Sequence, residues 1–151
     1  MQQEDNGLRK VQAKLMSDSL LFTKYFFKKR FNREFVVNSH HIQICDAIDR
    51  VLRGQLKRLC ISIAPRYGKT ELAVKNLIAI GLAHNPRAKF IHLSYSQDLA
   101  FDNSEETRDF IDSIDYKKIF PYVELSKTST SKNKWYTTFK GGVYATATGG
   151  Q

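Results

Sequence analysis

Leu59-Cys60-Ile61-Ser62-Ile63-Ala64-Pro65-Arg66-Tyr67-Gly68-Lys69-Thr70 runs an apolar segment straight into Gly-Lys-Thr, and Glu71 to Ala83 behind it is apolar on nearly every face. That order predicts a strand, a short loop and a helix. In such an arrangement backbone N–H groups converge at a helix N-terminus, where the helix dipole favours negative charge. A lysine then suits the β/γ oxygens of a triphosphate, and a hydroxyl suits Mg²⁺. Gly68, Lys69 and Thr70 supply those groups in order, and Pro65, Arg66, Tyr67 and Glu71 complete the candidate nucleotide-binding set. The loop departs from the common G-x-x-x-x-G-K-[ST] pattern, because Ile63 stands where its first glycine would fall. Pro65 instead fixes the backbone at the strand exit. An ordinary strand-to-helix connection is the competing reading.

Composition narrows the classes. The chain has 151 residues, enough for one domain of ordinary size, and carries a net charge of +9. Such a balance favours a polyanionic partner, nucleic acid first. Cys45 and Cys60 are the only cysteines, both in apolar runs. They read as buried thiols, and neither a disulfide scaffold nor a zinc site has a basis. The N-terminus lacks a basic start followed by an apolar core, and no uninterrupted apolar run is long enough for a membrane span. A cytoplasmic protein with no membrane partner is expected.

Upstream of the loop, Leu8 to Lys29 spaces its apolar residues at helical intervals, with a break expected near Ser17-Asp18-Ser19. The run Tyr25 to Arg33 interleaves aromatics with cations, a pattern that serves stacking and phosphate contacts on nucleic acid or, more simply, core aromatics beside solvated lysines. Phe35-Val36-Val37 reads as a short extended piece. Asn38 or Ser39 then caps a helix with Ile42, Cys45, Ile48 and Leu52 on one side, stopping at Gly54. His40-His41 has no metal-ligand spacing and reads as surface or capping histidine, although His41 and Gln43 lie upstream of the loop where many nucleotide-driven motors contact the base.

Downstream, the helix after the loop should end near His84-Asn85-Pro86, and Lys89 to Tyr95 reads as a second buried strand. Strand, helix and strand make a parallel βαβ unit. Ser96 caps a helix from Gln97 to Ser113 with Leu99, Phe110, Ile111 and Ile114 as apolar positions. Its acidic run from Asp102 to Glu106 reads as a solvated face. Ser126 to Lys132 reads as a polar loop. Lys134 to Phe139 and Val143 to Ala147 form a hairpin turning at Gly141-Gly142. The expected class is therefore α/β, a P-loop NTPase-type parallel sheet with flanking helices, incomplete because its later strands are absent. An N-terminal helical segment (1–38) precedes the partial ATPase domain (39–151).

Taken together, His40-His41 ahead of a helix, the loop Ala64 to Thr70, the strand Phe90 to Ser96, and Trp135 before Gly141-Gly142-Val143-Tyr144-Ala145 resemble the large subunit of tailed-phage terminases, over about residues 20 to 151. Those proteins are DNA-packaging motors. The resemblance implies ATP hydrolysis with Mg²⁺, coupled to pumping double-stranded DNA into a procapsid in the host cytoplasm. It also implies a portal protein and a small terminase subunit as partners. By the same resemblance Lys69 contacts the β/γ phosphates, Thr70 ligates Mg²⁺, Gly68 lets amides approach, and Arg66 is the loop arginine aimed at the γ-phosphate. Lys69 and Arg66 are thus the candidate catalytic residues. The family's acidic strand end, catalytic glutamate and nuclease domain are not found, so the chain resembles an N-terminal fragment. Such a fragment is expected to bind nucleotide without motor-rate turnover and, with an open sheet edge, to self-associate. The alternatives are a non-catalytic basic nucleic-acid-binding protein, and another P-loop enzyme such as a helicase or small kinase.

Overall fold

A computed structural model describes residues 2–149 of the chain. They form two compact units, divided between Ile80 and Gly81.

The first unit is helical. Helices α1 (Gln2–Ser17) and α2 (Ser19–Phe31) are separated at Asp18, whose side chain accepts the Leu21 N–H at 2.9 Å. The break expected at Ser17-Asp18-Ser19 is thus an N-cap, in which a carboxylate takes one of the amides that a helix start leaves unpaired. After a turn through Asn32, the Phe35-Val36-Val37 piece runs without ladder pairing and is not a strand. Helix α3 (Ser39–Leu52) follows with Asn38 as its N-cap. Its Ile44, Cys45 and Ile48 recur at helical spacing and form a buried cluster with Leu72. Helices α2 and α3 are tied through Ser19: its hydroxyl donates to the Cys45 carbonyl at 2.9 Å, and Asp49 accepts its N–H at 3.0 Å.

The expected strand over Leu59–Ala64 is not formed. That segment makes no ladder with any described residue. Its alternation is used differently: Ile61 and Ile63 lie against the α3 cluster, while Leu59, Cys60 and Ser62 stay exposed. A strand is defined by its partners, and the apolar period of two here serves a helix surface instead. The exposed Cys60 also corrects the expectation of two buried thiols; only Cys45 is buried. Past the loop, the chain is helical from Lys69, with a π-helical stretch (Glu71–Asn76) leading into α4 (Leu77–His84).

The second unit holds the sheet. Strand β1 (Lys89–Ser94) is followed by α5 (Gln97–Asp112), a short α6 (Ile114–Ile119), and β2 (Leu125–Thr130), β3 (Lys134–Thr137) and β4 (Gly142–Ala147). The order is β1-β4-β3-β2, with β1 parallel to β4 and the other pairs antiparallel. The described residues are therefore α/β with a four-stranded mixed sheet and flanking helices; the parallel βαβ unit expected from Leu59–Ala64 and Lys89–Tyr95 is corrected, since the parallel partner of β1 is β4. The hairpin forms where expected and supplies the strand that β1 pairs with. Two further readings change. Ser126 to Lys132 is not simply a loop, since most of it is β2, and Ile114 begins α6 as an exposed residue. Helix α5 packs on β1 and β4 through Ala100, Ser104, Thr107, Phe110 and Ile111, not through Leu99. Trp135 is fully buried and donates its indole N–H to Ser104 Oγ at 3.0 Å.

Among the described residues no helix is long and apolar enough to cross a membrane.

Candidate functional site: the Ala64–Thr70 loop

The turn at Pro65 and Arg66 is carried by two residues in the left-handed region, Arg66 at φ 70° and Gly68 at φ 81°. Glycine adopts that region freely, but arginine does not, and such strained non-glycine residues concentrate at ligand-holding turns. The loop opens directly on a helix. Its first ladder bond runs from Leu72 N–H to the Gly68 carbonyl at 3.0 Å. The amides of Lys69, Thr70 and Glu71 precede that bond and have no acceptor within the helix. Pro65, Arg66, Tyr67, Lys69 and Thr70 are exposed and Gly68 is half-buried, so the cations and the hydroxyl stand at the surface of the turn.

Glu71 points to different work. Its carboxylate pairs with Arg30 of α2 and lies 3.8 Å from Lys75, all three side chains being mostly buried. This carboxylate fastens the helix after the loop to α2. A second tie lies one turn further on, where Asn76 donates to Thr23 Oγ1 at 2.9 Å and Thr23 donates to the Ser19 carbonyl at 2.7 Å. The amide oxygen of Asn76, Oδ1, is buried without a hydrogen-bond donor. Asn76 sits at the end of the π-helical stretch, where the widened turn re-aims side chains; such stretches recur at functional sites.

A cleft of about 510 Å³ adjoins the loop, lined by Phe27, Arg33, Phe35, His41, Arg66 and Tyr67 among others. His41 is buried at 6 % exposure, not at the surface. Its Nδ1 accepts the Asn38 N–H at 3.0 Å, the reciprocal half of a capping box, which is the capping role expected of the pair. The aromatic–cation run closes on itself: Lys29 lies over Tyr25, Arg30 over Phe31 and Arg33 over Phe27, at 5.9, 4.8 and 5.5 Å. Within that stretch Phe26 is buried, Tyr25 and Phe27 are half-buried and Phe31 is exposed, so one aromatic enters the core while cations lie over three of the others.

The structure thus keeps the loop residues together at a helix start and brings Arg30, Thr23, Asn76 and His41 to support it. The sequence linked none of the first three to the loop, because a contact 41 residues away, as between Arg30 and Glu71, has no periodic signature. Among the described residues no group of three His, Cys, Asp or Glu side chains is arranged to hold a metal ion. Comparison with protein-family models, with curated proteins and with solved structures finds no match to this chain.

Proposed function

We propose that Ala64–Thr70 binds the phosphates of ATP, and that the chain is the N-terminal, ATP-binding part of a terminase-like DNA-packaging subunit. The observation that carries the phosphate reading is the turn itself: two left-handed residues deliver Gly68-Lys69-Thr70 onto the first turn of a helix. Unpaired amides and the positive end of the helix dipole then face an anion together. Lys69 and Arg66 are both exposed, and on this reading they are the two cations for the terminal phosphates, Arg66 offsetting charge that builds up during transfer.

Mg²⁺ would be held by the Thr70 hydroxyl together with phosphate oxygens and water, as suits a cation that keeps much of its hydration. When bound it would neutralise phosphate charge. Glu71 is committed to Arg30 and Lys75 and supplies no ligand in this arrangement. Among the described residues no carboxylate cluster is arranged for a metal, and this reading carries an expectation of nucleotide binding rather than of motor-rate turnover. Double-stranded DNA, a portal protein and a small terminase subunit are the partners this reading implies.

The test compares thermal unfolding with and without ATP-Mg²⁺ for the wild type and Lys69→Ala. At roughly 100 times Kd, ligand should stabilise the folded state by about 2.7 kcal/mol. Loss of that shift in Lys69→Ala, whose side chain is exposed, supports the reading. A wild type indifferent to ATP-Mg²⁺ overturns it. The net charge of +9 favours the second reading, a basic nucleic-acid-binding protein, if that indifference comes with steeply salt-dependent DNA affinity.

A further inference from the structure

His41 occupies the third position of α3, and its ring has two different neighbours. On one side Nδ1 accepts the Asn38 N–H at 3.0 Å, so in the neutral ring the proton resides on Nε2. On the other side Nε2 faces the loop: a Cβ added to Gly68 would come within 3.3 Å of it. Phe35 packs on the ring at a centroid distance of 4.8 Å, and His40 lies at 3.8 Å. An imidazole held on three sides has little freedom to turn. The loop it touches has the reverse character, with both positive-φ residues on an exposed turn.

We infer that His41 is a positioning residue that clamps the Tyr67–Gly68 turn from behind, using the start of α3 as its anchor. Its consequence for nucleotide affinity rests on the phosphate reading of the loop, whereas the clamp itself does not. The neutral ring is the working form. Protonation would turn Nδ1 into a donor facing another donor, the Asn38 N–H, and would release the anchor. Burial and the neighbouring His40 lower the affinity of His41 for a proton, and the Tyr67 carbonyl opposes them more weakly. The folded state therefore refuses a proton that the unfolded state accepts, so the clamp is complete above the ordinary value of 6.5 and weakens as pH falls below it. The other charged or titratable groups around the cleft are His40, Arg33, Glu34, Arg66, Tyr67 and Glu71.

The experiment uses the full chain without ligand and the variant His41→Gln. Glutamine at this helix position is a standard capping-box partner, so the start of α3 is retained while the ring against the loop and its titration are lost. The readouts are tryptic cleavage after Arg66 and Lys69, exchange of the Leu72 amide that is bonded to Gly68, and exchange of the Ile42 amide that is bonded to Asn38. The expected result is loop cleavage and Leu72 exchange faster by about tenfold in His41→Gln, with Ile42 changed less than about threefold. In the wild type, Leu72 exchange corrected for the intrinsic pH dependence of amide exchange should rise as pH falls below 6.5, and in His41→Gln the corrected rate should be flat. Unchanged loop readouts, a parallel rise at Ile42, or an identical pH profile in both proteins would each overturn the clamp. Repeating the ATP-Mg²⁺ shift on both proteins separates the two ideas: an indifferent wild type with a loosened His41→Gln loop refutes nucleotide binding and leaves the clamp standing.

Discussion

Arg30 and Glu71 meet where α2 passes the helix that follows the loop, and each side chain is 15 % exposed. Charges this far from water are costly to leave alone, and removing one partner exposes the other to that cost. Lys75 at 3.8 Å softens the loss for Glu71 without replacing the pair. Arg30→Ala is expected to destabilise the chain by about 1–3 kcal/mol in urea unfolding. In a double-mutant cycle with Glu71→Ala, a coupling energy above about 0.5 kcal/mol is expected. Additive single variants would mean that the pair is incidental and that Glu71 is free for another role. The sequence placed Glu71 in the loop's binding set, and the fold shows its carboxylate paired with Arg30, a partner the sequence did not indicate.

At the level of elements, the turn between β3 and β4 has the least room for change. Gly142 has φ 148°, and a Cβ there would lie 2.1 Å from the Trp135 carbonyl oxygen. Its N–H also bonds the Ala88 carbonyl at 2.8 Å, joining the hairpin to the turn before β1. Gly142→Ala is therefore expected to cost about 2–4 kcal/mol, followed by the fluorescence of Trp135, the single tryptophan. Gly149→Ala is the control, since nothing lies within 4 Å of the added atom; it should stay within about 0.5 kcal/mol. Equal stabilities would show that the turn relaxes around the new methyl group.

The same hairpin shows what was legible. Paired glycines between two runs rich in β-branched and aromatic residues fix a local, two-strand structure, and the Asp18, Asn38 and Ser96 caps likewise depend on neighbours a few residues away. The loop's place at a helix start was equally readable. Sheet partnership was not. Ile61 and Ile63 carry a strand's period, yet a period says which side is apolar and not what covers it, and here the α3 cluster covers it. In β2 the ladder to β3 is held at Leu125 and Thr130, opposite Thr137 and Trp135, on either side of an irregular polar stretch, and composition does not reveal that pairing. His41 was read as a surface or capping residue, and only the capping half holds; that its other nitrogen meets Gly68 depends on a contact across 27 residues of chain.

For the molecule as a whole, the decisive surface is the uncovered face of β1. This strand is at the edge of the sheet, paired only with β4. Ile91 is 72 % and Leu93 57 % exposed, and Tyr144, opposite Ile91 in register, is exposed beside them. Natural edge strands are usually short, charged or covered, because free N–H and C=O groups beside apolar side chains template pairing with another chain. Here Lys89 is the strand's one charged residue, and it stands at its first position. The net charge of +9 opposes close approach of two copies in dilute buffer, but salt screens that repulsion within about 8–10 Å at physiological strength. Self-association should therefore strengthen as salt is raised, the opposite of charge-driven assembly. Ile91→Lys puts a cation on the exposed face without removing a buried group, so unfolding should shift by less than about 0.5 kcal/mol while sedimentation moves toward monomer. A wild type that stays monomeric at high salt and high concentration, or an Ile91→Lys chain that associates as strongly, would show that this face is tolerated bare and that the twist of the edge alone prevents pairing.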